Sequence, residues 1–234
     1  VSTQLQSESD TTGGDSSSST NLTESIGVDV TAIDAKGEFD LNSAATTTLN
    51  AKAEVTNSTE DTETIEGAKA SNTFTTARGT RLTNIDAGDD TNISASVGIS
   101  TNAGANAATG YTEAINNASN IAALELTSSE QTETARVQRF DADGIISAES
   151  ALSSTAEAST TSGTASAVDN FGVVDAVQLG DSKIDVGGDS TISGSVNLSS
   201  RTDAVNVGGG DVRAGSAVES SSGINQDNTQ GKGT

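Results

Sequence analysis

The chain has 234 residues and carries 11 Lys and Arg against 33 Asp and Glu, a formal net charge of −22. It lacks His, Pro, Cys, Met and Trp, which excludes the usual catalytic triads, thiol nucleophiles, zinc sites and disulfides. Leu, Ile, Val and Phe together number 43, a scarcity that with this charge lies on the disorder-prone side of composition and allows only a thin core.

Residues 1–25 are rich in Ser, Thr, Gly and Asp and read as a polar N-terminal arm. Just inside it Ile26, Val28 and Val30 alternate with polar residues, which suits a strand donated to the open sheet edge of a neighbour. From Phe39 to Val55 the odd positions Phe39, Leu41, Ser43, Ala45, Thr47, Leu49, Ala51, Ala53 and Val55 form one face, the period-two signature of a strand. The stretch Ile85 to Ser100 then aligns without a gap onto Ile184 to Ser199, with nine of 16 positions identical. Weaker copies begin at Ile33-Asp34 and Phe140-Asp141. Each copy has a second half built on a Gly followed by small residues at alternate positions, as in Gly163-Thr164-Ala165-Ser166-Ala167. Tyr111 to Leu126 fits either a helix, with Tyr111, Ile115, Ala118 and Ala122 on one face, or another strand. Gly/Asp turns sit at Ala87-Gly88-Asp89-Asp90, Asp143-Gly144, Val186-Gly187-Gly188-Asp189 and Gly208-Gly209-Gly210-Asp211.

These features predict one all-β repeat domain over 26–218, with units near 33–84, 85–139, 140–183 and 184–218, followed by a polar tail at 219–234. The expected architecture is an elongated β-solenoid, or β-helix-like stack of four units, each divisible into two courses of about 24 residues that pair with the course below. Stacking lets a narrow core suffice, because nearly every residue also gains a backbone hydrogen bond. The alternative is a β-sandwich of long antiparallel strands, completed by a strand donated between subunits.

The run of apolar-Asp pair, Gly/Asp turn, I-S-x-S strand and G-x-A-x-A strand resembles the repetitive, acidic, Ala/Ser/Thr/Gly-rich surface proteins of bacteria, including those of cyanobacterial type. The resemblance covers about 33–218. It implies an extracellular fibre, adhesin or matrix component.

No enzymatic motif is present, and 33 acids offer no particular pair for hydrolysis. Asp34, Asp86, Asp141 and Asp185 would come into register in a stack, either as a cation-binding row suited to calcium or as turn caps bathed in water. No cofactor beyond calcium is indicated. Asn21, Asn57, Asn92, Asn117 and Asn197 head N-x-S/T sequons, the acceptor pattern for glycosylation. The negative charge disfavours nucleic acid and anionic membranes, and no apolar run is long enough to span a bilayer. A first residue that is not Met fits removal of an export signal. The expected function is therefore that of a secreted, non-enzymatic, self-assembling structural subunit, partnered by its own copies at the cell surface. An adhesin binding a glycan or another surface ligand through Ser/Thr/Asp-rich faces is the second expectation.

Overall fold

The computed structural model describes residues 2–12, 14–56, 67–127, 137–180 and 183–227. Within them the chain is all-β, without a helix, and consists of thirteen strands. They fall into five successive lengths of chain. The first holds β1 (Ser2–Thr12), β2 (Ser16–Val30) and β3 (Ile33–Ala35); the second holds β4 (Phe39–Thr56), β5 (Gly67–Leu82) and β6 (Ile85–Ala87). The third holds β7 (Thr91–Ala118), β8 (Ile121–Thr127) and β9 (Val137–Phe140). β10 (Gly144–Gly180) and β11 (Lys183–Val186) make the fourth, and β12 (Ser190–Asn206) and β13 (Val212–Asp227) the fifth.

Every described ladder is parallel and joins one length to the next. One wall runs β1, β4, the first part of β7, the first part of β10, and β12. A second runs β2, β5, then the end of β7 with β8, then the end of β10, and β13. β3, β6, β9 and β11 form a short third sheet. The gapless repeat seen in the sequence is the ladder itself, since Ile93 pairs with Ile146 and Ile146 with Ile192.

Several expectations change here. The antiparallel ladders of a sandwich occur nowhere among the described residues. The 24-residue courses do not pair with each other either: the two halves of a length face one another across the core, and each pairs with the matching half of the next length. Residues 1–25, expected as an arm, contribute β1 and β2, with Ser2 opposite Thr46 and Ser16 opposite Ala68. Ile26, Val28 and Val30 are not held out as a free strand; they lie in β2 opposite Arg78, Thr80 and Leu82. The segment from Tyr111 to Leu126 is strand throughout except for a break at Ser119 and Asn120, where Asn120 takes a φ of 52°. Asparagine tolerates that left-handed conformation better than most residues.

Alternation dictates the core. In β4 the residues Ala45, Leu49, Ala51, Ala53 and Val55 are buried, and their neighbours point outward. The interior divides by side-chain size. Near the corner between the walls it is almost pure alanine, with Ala51, Ala53, Ala103, Ala105, Ala156 and Ala158 facing Ala68, Ala70, Ala114, Ala165 and Ala167. Farther from it, Phe74, Ile93, Ile121, Leu124, Phe140, Leu152 and Phe171 fill a thicker region. Each such large side chain contributes about 1.5–3 kcal/mol by burial. The corner itself needs glycine. Gly110 and Gly163 stand opposite each other in the ladder with φ of 93° and 131°, and a Cβ on Gly163 would lie 1.7 Å from the Gly110 carbonyl oxygen.

Candidate functional site

The first and last lengths each have neighbours on one side only among the described residues. β12 and β13 pair with β10, and the side facing away from it carries unpaired edges. The inward residues there show the consequence. Val212, Val218 and Ile224 are 50%, 47% and 46% exposed, although their ladder partners Ala165, Phe171 and Val177 are buried. At the opposite end β1 and β2 carry the free edge, and their inward row is largely hydroxyl. The Ser16 hydroxyl donates to the Ser9 carbonyl at 2.9 Å, that of Ser18 to Ser7 Oγ at 2.8 Å, and that of Thr20 to the Asn50 carbonyl at 3.0 Å. Ser7, Ser9, Ser16 and Ser18 thus stand where the next length has alanine, and they join their hydroxyls across the narrow gap. Lys52 ties the outer surface of β4 to β1: Glu8 accepts its hydrogen bond at 2.9 Å and holds its ammonium above the ordinary lysine range, helped by Glu54.

A polar row crosses the interior between the alanine half and the larger one. Thr20, Asn72, Asn116, Asp169 and Ser216 occupy one ladder column. Asn72 Nδ2 donates to Asn116 Oδ1 at 2.8 Å, and Asn116 Nδ2 donates to Asp169 Oδ1 at 2.9 Å. From the facing wall, Ser154 and Ser200 donate to the two Asp169 oxygens at 2.8 and 2.6 Å. A second staple is the buried Arg78, whose guanidinium donates to Glu125, to Asn120 and, at 3.2 Å, to Gln178 Oε1, joining three lengths of chain.

Asp175 is 1% exposed; its Oδ2 accepts from Asn225 Nδ2 at 2.8 Å, while its Oδ1 has no partner among the described residues. Burial raises its pKa above the ordinary carboxylate value, against the lowering effects of Asn225 and Arg78. A carboxyl whose folded pKa lies above its unfolded one favours folding below the unfolded value, and that contribution is lost as pH rises through the folded value. Asp175→Asn is therefore expected to raise the melting temperature at neutral pH and to lose the advantage in acid, as followed by circular dichroism melts across pH. A lower melting temperature at neutral pH would contradict this account.

The predicted row of carboxylates is interrupted. Asp34 pairs with Asp86, but Arg139 stands next in the column, between Asp86 and Asp185. Asp141 falls two residues farther along the chain, because the fully buried Gln138, and not Phe140, stands in line with Ile184, while Phe140 fills the next inward position, in line with Ala87 and Val186. Small Ala87 beside it leaves room for the ring. Among the described residues no three acids gather where they could hold a metal ion. A different column of acids does bind the lengths together. Asp90 Oδ1 accepts the Asp143 amide at 3.1 Å, and Asp143 Oδ1 accepts the Asp189 amide at 2.8 Å. Asp90 and Asp189 are an identical pair in the gapless alignment, so the signal lay four residues beyond the apolar-Asp pair singled out above.

On the outer face of the first wall lies an open groove of about 690 Å³, lined by Asn50, Asn102, Glu54, Glu157, Arg201 and Asp203 among others. Of the sequon residues, Asn21, Asn92 and Asn197 are exposed and Asn117 is half-buried, while Asn57 lies outside the described residues. Among the described residues no helix is long and apolar enough to cross a membrane.

No protein-family model, curated protein or solved structure matches the chain. The described strands leave two open edges, with half-exposed apolar residues on one and a hydroxyl-lined interior behind the other, and the groove is a polar surface without an aromatic platform.

Proposed function

We propose that the chain is a β-solenoid subunit that assembles with its own copies into a filament or surface layer, outside the cell and without enzymatic activity. The observation that carries this reading is the open last length, where Val212, Val218 and Ile224 present inward-type apolar surface beside an unpaired backbone edge. Such an edge is a template for further strand pairing. Stacked repeats contact only their neighbours, so each added copy repeats an interaction the chain already makes four times between its own lengths. The scarcity of large apolar residues and the lack of His and Cys fit a material whose work is mechanical.

Substituting Val212 and Val218 together by lysine tests the reading. Both side chains are half-exposed in the separate chain, so the ammonium groups stay hydrated there; between stacked copies they would lose water without a counter-charge. Electron microscopy of the purified wild type should show filaments or sheets, and the double variant should give particles with an unchanged circular dichroism spectrum. Equal assembly by the two proteins would remove this edge from the mechanism. The second reading, a surface-binding adhesin, rests on the groove with its Asn50, Asn102 and Arg201 lining; a wild type that stays monomeric but binds a glycan array would favour it.

A further inference from the structure

We infer that copies join head to tail in one register, with β1 and β2 of one chain laid on β12 and β13 of the next, so that Thr20 meets Ser216, Leu22 meets Val218 and Val28 meets Ile224. This rests on the self-assembly proposed above and adds its polarity and alignment. The argument comes from the columns. Leu22, Phe74, Ala118, Phe171 and Val218 share one ladder position through all five lengths, and Val28, Thr80, Leu124, Val177 and Ile224 share another. A copy shifted by one step beyond the fifth length brings the first member of each column onto the last. Leu22 and Val28, partly exposed at one end, then cover Val218 and Ile224, half-exposed at the other.

The interior chemistry continues as well. Thr20 would extend the polar row at Ser216, and Ser18 would stand on Ala214, where the alanine half of the interior ends. On the outer face Gln6 comes opposite Arg201 and Glu8 opposite Asp203. Arg201, which lies 3.5 Å from Asp203, is the cation that meets the added carboxylate. An end-over-end join would instead turn the ladder antiparallel and break these columns. β1 brings 11 residues and β2 15 to such a junction, so its ladder is as long as the one between the first length and the second.

Because the chain has no cysteine, disulfide trapping reads the junction directly. Asn21 and Ala217 are exposed and begin and end one column. Across a head-to-tail junction their Cα atoms would stand about 4.8 Å apart, the spacing of neighbouring strands, whereas within one chain four such steps separate them by about 19 Å. Only the first distance lies in the disulfide range of about 4.4–6.8 Å. Asn21→Cys and Ala217→Cys chains are mixed, assembled in high salt to screen the acidic surfaces, and oxidised.

The expected result is the mixed disulfide, with both homodisulfides missing. An Ala217→Cys homodisulfide would mean joining by the last lengths, an Asn21→Cys homodisulfide joining by the first, and either overturns the inference. Filaments without any disulfide overturn the register alone, and monomers without filaments in the wild type overturn the assembly reading as well. Gln4→Cys with Ser199→Cys, exposed ends of one column on the other wall, repeats the measurement if the first pair perturbs folding.

Discussion

Gly79→Val is expected to cost more stability than any surface change in this chain and to remove the cooperative thermal transition. Gly79 lies in β5, buried, where the two walls come close enough for backbone to meet backbone. A Cβ there would sit 2.5 Å from the Ser96 carbonyl oxygen and 2.6 Å from that of Ala123. Both are main-chain atoms, so neither moves aside as the tip of a side chain would. Ordinary over-packing costs about 1–3 kcal/mol, and a valine at this position must separate the two walls along several residues. Against a total stability of about 5–15 kcal/mol for a folded domain, that is enough to open the structure. Gly104→Val is the matched control, because nothing lies within 4 Å of its Cβ position and valine suits a strand better than glycine. Circular dichroism melts of the two variants give the comparison. A Gly79→Val protein that melts like the control would mean that the walls do not touch there.

Asn116→Ala is expected to be the second most damaging change, by about 3 kcal/mol, the scale on which buried polar partners are lost. Asn116 is fully buried; its Nδ2 donates to the Thr155 carbonyl at 2.8 Å and to Asp169, while its Oδ1 takes the hydrogen bond from Asn72. Alanine leaves the Asp169 carboxylate with two hydroxyl donors and one amide fewer. Asn116→Asp separates charge from packing. Two adjacent carboxylates resist joint ionisation, so one is pushed above its ordinary range; the variant should melt close to wild type in acid and fall well below it at neutral pH. A melting temperature with the wild type's pH dependence would show that the row is not closed around position 116.

How much of this was legible in the sequence depends on which residues carried contrast. Phe39 to Val55 and the paired stretches at Ile85 and Ile184 alternate apolar with polar side chains, and the ladders follow that alternation residue for residue. The first length was missed because its inward positions Ser7, Ser9, Ser16 and Ser18 are as polar as its outward ones; period two is present but has no hydrophobic amplitude. The slip at Phe140 has a related cause. A large apolar residue followed by Asp copied the local pattern, while the inward volume that sets the register lay in Phe140 and its small neighbour Ala87. Pairing between whole lengths instead of half-lengths was beyond composition, because Ser-Ala alternation looks the same at either spacing. The approach of the two walls at Gly79 left only a single small residue in the sequence, and nothing there identified what it would touch.

The parallel ladders also fix how the molecule bears load. Strands run across the direction in which the five lengths follow one another, so the hydrogen bonds between lengths point along it. Tension in that direction falls on all the bonds of one boundary together, and none breaks until its neighbours are strained as well. A force applied across a strand end meets them one at a time. The chain is consequently stiff along one axis and peelable at its rim, a mechanical anisotropy set by strand direction and independent of side-chain chemistry.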